Sequence, residues 1–135
     1  MSAESNFLRA ERENTEKSLV LLEDLLQKEA LSPYEIIAMG TLLQNVYMGI
    51  ERILRGRLKL LGENISKGES WHKDLLRKAH EHALITEEQH RVFYQLLGFR
   101  HVHVHGYGHM LDEIRVRELA LSALTICREY LRSQA

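Results

Sequence analysis

The stretch Ser32-Pro33-Tyr34-Glu35, continuing as IIAMGTLLQNVYMGIERILRGRLKLLG over residues 36–62, decides the fold. Ser32 is a capping residue type, Pro33 suits a first helical position where no bonded N–H is needed, and Glu35 follows the cap by three residues. A helix starts there. Met39, Leu42, Val46, Ile50, Ile53, Leu60 and Leu61 then recur at largely helical steps, and Gly62 is a natural terminator. A helix of about 30 residues is ~45 Å long, long enough to be a main rod of a bundle.

Upstream, residues 4–30 place Phe7, Leu8, Leu19, Leu22, Leu25 and Leu26 among charged residues, which predicts an amphipathic helix. Downstream, Gly62, Asn64, Ser66, Gly68 and Ser70 mark a loop. Ser70 is then expected to cap a short helix over residues 71–83 that buries Leu75, Leu76 and Ala79. Thr86-Glu87-Glu88-Gln89 supplies another capping box, opening a helix with Val92, Phe93, Leu96, Leu97 and Phe99 apolar. The last helix, over residues 111–133, aligns Ile114, Leu119, Ala123, Leu124, Cys127, Tyr130 and Leu131. Short connections favour antiparallel neighbours. The expectation is therefore one all-α domain over residues 1–135, an up-and-down bundle of four long helices plus one short helix.

Composition agrees: 135 residues contain one proline and eight glycines, too little punctuation for a many-stranded β fold. The single Cys127 excludes an internal disulfide and a cysteine-rich zinc site, and it falls on the apolar stripe of the last helix, so it reads as a buried thiol. No apolar run has the form of a signal peptide or a membrane span. A cytoplasmic protein with no membrane partner is expected. No phosphate-loop, dinucleotide-binding or G-x-S-x-G element is present, which argues against the enzymes built on them.

Eighteen Lys plus Arg against 19 Asp plus Glu do not advertise a nucleic-acid binder, but the charge is unevenly spread. Residues 1–35 carry eight acids and four bases, whereas from His90 to Arg117 the four arginines 91, 100, 115 and 117 face only Asp112 and Glu113, with five histidines interspersed.

Most of the chemical information lies in Phe99-Arg100-His101-Val102-His103-Val104-His105-Gly106-Tyr107-Gly108-His109. Three readings compete. On a strand His101, His103 and His105 would share a face, and on a helix His101 with His105 or His105 with His109 would pair as metal ligands. No acidic ligand accompanies them, and His80 and His82 complete no zinc motif, so no metal site and no cofactor are expected. A second reading places the histidines structurally, at a helix C-terminus or hydrogen-bonded in a core. The third takes Arg100, His105 and Tyr107 together as R-x4-H-x-Y.

In that pattern the chain resembles the HEPN superfamily, and within it the HepT-like toxins. The likeness extends to Ser70-Trp71-His72-Lys73-Asp74-Leu75-Leu76 and to the five-helix layout. The resemblance implies a metal-independent endoribonuclease, the toxin of a toxin–antitoxin pair, whose site is completed across a homodimer or a higher even-numbered oligomer. Arg100 and His105 would be catalytic on an RNA substrate. A second histidine, from the other subunit, would protonate the leaving 5′-oxygen, and His101 would assist as a phosphate contact or stand idle at the surface. Tyr107 would be where an MNT-type nucleotidyltransferase antitoxin attaches AMP. The alternative is a non-catalytic HEPN subunit that binds nucleotide or substrate for a nucleotidyltransferase. Residues five apart on a helix are turned by about 140°, so Arg100 and His105 are not aligned by helix spacing alone. Trp71, Phe93 and Phe99 are expected in core or interface packing, with base stacking by one of them the alternative, and His72, Lys73 and Arg77 on a solvated face, with an RNA groove the alternative.

Overall fold

The computed structural model describes residues 3–65, 67–104 and 112–134, which form helices and their connections and contain no strand. The helices are α1 (Ala3–Leu26), α2 (Pro33–Leu60), α3 (Trp71–Glu81), α4 (Glu87–Val104) and α5 (Glu113–Ser133). Of the expected elements, α2 is the best specified. Ser32 Oγ accepts from the Glu35 N–H at 3.2 Å while Glu35 Oε1 accepts from the Ser32 N–H at 2.9 Å. Lys28 also reaches Glu35 at 2.7 Å, and these bonds, Lys28 first, hold the Glu35 carboxyl down at about 2. At the other end Gly62 takes φ +84°, and the Glu63 N–H reaches back to the Leu58 carbonyl at 2.9 Å. That closing bond, with Gly62 left-handed, satisfies carbonyls the helix would otherwise leave open.

The remaining caps are mixed. Thr86 and Gln89 form their reciprocal pair, and Asp112 Oδ1 caps α5 through the Ile114 N–H at 2.9 Å. Ser70, expected to cap α3, makes no side-chain capping bond. Helix α3 stops at Glu81, and the turn beyond it puts Ala83 at φ +58°, with the Leu84 N–H bonded to the Ala79 carbonyl at 2.9 Å. A left-handed alanine is strained where glycine is not. Ala83→Gly is therefore expected to raise stability by about 0.5–1 kcal/mol, read as a higher urea midpoint at unchanged slope; an unchanged or lower midpoint would contradict this.

Long-range bonds set the directions. Arg117 Nη2 donates to the Lys28 carbonyl at 2.7 Å, Arg128 forks onto Glu23 at 2.8 and 3.1 Å, and Arg12 Nη1 donates to the Gln134 carbonyl at 3.2 Å. Helix α5 thus runs antiparallel to α1. Helix α3 runs alongside α2 in the same direction, since His72 meets Glu51 and Lys78 and His82 both meet Glu63. The short turn after α3 sends α4 back, with His80 and His90 stacked at 5.0 Å between the two helices. The four long helices pack in the cyclic order α1, α2, α4, α5, with α2 also touching α5 across the centre, and α3 lies outside against α2 and α4.

The core is built from Leu19 and Leu22 of α1; Met39, Leu43, Val46, Tyr47, Ile50, Ile53, Leu54 and Leu58 of α2; Leu75, Leu76 and Ala79 of α3; Val92, Phe93 and Leu96 of α4; and Val116, Ala120, Ala123, Ile126, Cys127, Tyr130 and Leu131 of α5. Cys127 is fully buried, and the apolar surroundings push its thiol pKa up, away from a reactive thiolate. Helices α1 and α2 approach closely at two glycines. A β-carbon at Gly49 would lie 2.0 Å from Thr15 Oγ1, and one at Gly56 would lie 2.9 Å from Leu8 Cδ2. Phe7, Leu60, Leu61 and Ile114, expected on apolar stripes, are instead exposed.

Candidate active site

Helix α4 carries Arg100 to the level of the middle of α2 and the start of α3. There Glu51 occupies a stripe that is otherwise apolar: Tyr47, Glu51, Leu54 and Leu58 follow one another at steps of four, three and four, and all four are buried. A buried carboxylate is costly unless it is hydrogen-bonded. Two donors meet the need. The Tyr47 hydroxyl donates to Glu51 Oε2 at 2.7 Å, and His72 Nδ1 approaches the same oxygen at 2.6 Å. With the carboxylate oxygen as acceptor, Nδ1 is the donor of this pair, and Nε2 is the ring nitrogen left for other work. Burial, followed by the Glu51 charge and hydrogen bond, pushes the Tyr47 pKa far up, with Arg100 acting in the opposite sense. Tyr47 is therefore a fixed donor.

Beside this network lies a cavity of about 180 Å³ lined by Met48, Glu51, Arg52, Arg55, Trp71, His72 and Arg100. Three guanidinium groups stand there against one carboxylate. The Nε of Arg100 is buried and has no hydrogen-bond partner among the described residues. A buried donor without an acceptor costs stability and marks a place where an anionic group would be welcome. The Nε of Arg57 is in the same condition, so the orphaned donor gains its meaning from the company of His72 and Glu51. The Arg55 guanidinium lies 5.3 Å from the centroid of the Trp71 ring, and Trp71 in turn lies 3.7 Å from the His72 ring. Arg52, Arg55 and Lys59, at steps of three and four on α2, continue the positive edge into a larger groove that also holds Phe7, Leu8, Gly56 and Leu60. Such a row can follow a phosphate backbone.

Of the residues singled out in the sequence, Arg100 is placed in this cavity. His105 and Tyr107 lie outside the described residues. His101 falls in the last turn of α4, and its side chain is likewise outside what is described. Among the described residues no three His, Cys, Asp or Glu side chains converge as a metal site. Lys73 and Arg77 are exposed, as expected. His72 departs from expectation: it is tied to Glu51 and only partly exposed. Glu51 did not stand out in the sequence, though an acid on the apolar stripe of α2, one turn after Tyr47, was a signal available there. Trp71 lies at the cavity and Phe93 in the core.

The class these features define is an all-helical bundle with a cationic pocket between its second, third and fourth helices. The family model of HepT-like proteins matches residues 38–134, from the second turn of α2 to the end of α5. The chain belongs to the HepT-like family of the HEPN superfamily. No curated protein and no solved structure matches it. No helix among the described residues is long and apolar enough to cross a membrane.

Proposed function

We propose that this HepT-like protein is a metal-independent endoribonuclease, the toxin partner of an MNT-type nucleotidyltransferase antitoxin. The observation that carries the reading is Arg100, a half-buried arginine with an unpartnered buried Nε in a pocket of net positive charge. Its forked donors suit a phosphodiester and the charge that builds on its oxygens. His105, five residues on, takes the proton from a ribose 2′-OH, which attacks the adjacent phosphorus. The site is completed in a homodimer or a higher even-numbered assembly, where a twofold axis beside this segment doubles the local positive charge. Tyr107 is the acceptor for AMP. A nucleotide there adds negative charge and bulk two residues from His105 and silences the enzyme by repulsion and occlusion.

The protein purified without its antitoxin is expected to cut RNA in the presence of a chelator. His105→Ala should lower that rate by about 10²–10⁴-fold with the melting temperature retained. Co-expression with the nucleotidyltransferase should add a discrete mass that Tyr107→Phe abolishes. Intact RNA after long incubation with verified unmodified protein would overturn the reading and favour a binding subunit.

A further inference from the structure

We propose that His72, held by Glu51, is the second proton-transfer group of the Arg100 pocket and donates its Nε2 proton to the leaving 5′-oxygen. The proposal rests on the ribonuclease reading above and deepens it: the protomer that supplies the arginine also supplies the proton donor, with no second histidine needed from the partner subunit.

The argument starts from Glu51. A leucine or methionine at that position would continue the apolar stripe made by Tyr47, Leu54 and Leu58, yet the chain buries a carboxylate there, 7% exposed. Two donors then converge on one oxygen of that carboxylate, the Tyr47 hydroxyl and His72 Nδ1. A carboxylate on Nδ1 fixes the ring's orientation and tautomer and stabilises the imidazolium, the arrangement by which acid–base histidines are commonly prepared for proton transfer. Trp71 packs against the ring and further limits its rotation. The charged groups sharing the cavity are Glu51, Arg52 and Arg55 from α2 and Arg100 from α4. A phosphodiester held by Arg100 would thus lie in the same cavity as the His72 ring.

The step balances within the substrate and the two histidines. The 2′-oxygen forms a bond to phosphorus, the bond from phosphorus to O5′ breaks, and the 2′-OH proton goes to His105. His72 enters this step with both ring nitrogens protonated; its Nε2 proton goes to O5′, leaving a 2′,3′-cyclic phosphate, a 5′-hydroxyl and a ring that keeps only its Nδ1 proton against Glu51. Exchange with water then restores both rings. Glu51 touches no reacting atom and is a positioning residue.

A substrate whose scissile 5′-oxygen is replaced by sulfur separates this role from a structural one, because a thiolate leaves without being protonated. His72→Asn keeps a side-chain N–H for Glu51 and so guards against a folding defect; His72→Ala is the second variant, and melting temperatures are compared for both. On the oxygen substrate each is expected to be slowed by about 10²-fold or more, and on the sulfur substrate to cut within about tenfold of the unaltered protein. Glu51→Gln should show the same pattern with a smaller loss, and His105→Ala should remain slow on both. Equal losses on oxygen and sulfur, or none on oxygen, would overturn the role of His72 while leaving the ribonuclease intact. Failure of the unaltered protein to cut either substrate would defeat the ribonuclease reading and this inference with it.

Discussion

Arg100→Ala is expected to lower RNA cleavage by about 10²–10³-fold, the usual loss when a group stabilising developing oxyanion charge is removed, while the melting temperature holds or rises. The two halves of that result belong together. A residue that serves the fold loses stability when truncated, whereas Arg100 brings a buried Nε with no described partner into a cavity already holding Arg52 and Arg55. Removing it relieves like-charge repulsion and an unmet donor. Arg100→Lys should recover only part of the rate, because an ammonium lacks the planar fork that grips two phosphate oxygens. Steady-state cleavage under chelation and thermal unfolding of the same samples check both halves. Loss of activity together with a large drop in melting temperature would instead make Arg100 a structural residue.

Gly49→Ala carries the largest expected effect on stability. Alanine is the better helix former by about 1 kcal/mol, yet its β-carbon would lie 2.0 Å from Thr15 Oγ1 and 3.2 Å from Thr15 Cβ. Thr15 has little freedom to yield: it is 2% exposed, and its hydroxyl donates to the Glu11 carbonyl at 2.7 Å. Helices α1 and α2 must separate, and overpacking of this kind costs about 1–3 kcal/mol. A net loss of about 1–2 kcal/mol is expected after the gain in propensity. Thr15→Ala in the same chain should return part of it, since the closest clash disappears and the 3.2 Å contact remains. Urea unfolding of the two single variants and the double variant reads the coupling directly. Additive effects would mean that the two side chains do not meet.

Much of the fold was legible because its signals are local. The Ser32/Glu35 and Thr86/Gln89 boxes and the Gly62 stop all act within one turn, and each forms the bonds its residue types announce. Local signals failed where tertiary position decides. Ile114 and Leu60 fit helical stripes but stand in the terminal turns of their helices and are 68% and 60% exposed. Ala83 adopts a conformation that no glycine announced. The close approach of α1 to α2 at Gly49 and Gly56 depends on which helices become neighbours, and this no single helix reveals.

The site divides along the same line. Arg100 was found through a pattern running along one segment. Glu51 and His72 stand 21 positions apart and meet only because α3 lies along α2. A lone histidine on a short polar helix reads as solvated until its partner is known. The family match spans α2 to α5 and leaves α1 outside, which places every described residue of the pocket within the matched region and the glycine-lined contact with α1 across its border.

The most direct measurement is the chemistry of the cut ends. RNA incubated with unmodified protein in a chelator should yield a 2′,3′-cyclic phosphate, or the 3′-phosphate from its opening, on one fragment and a 5′-hydroxyl on the other. Fragments ending in 3′-hydroxyl and 5′-phosphate, or cleavage that requires an added divalent ion, would contradict attack by the 2′-oxygen in a pocket of arginine and histidine.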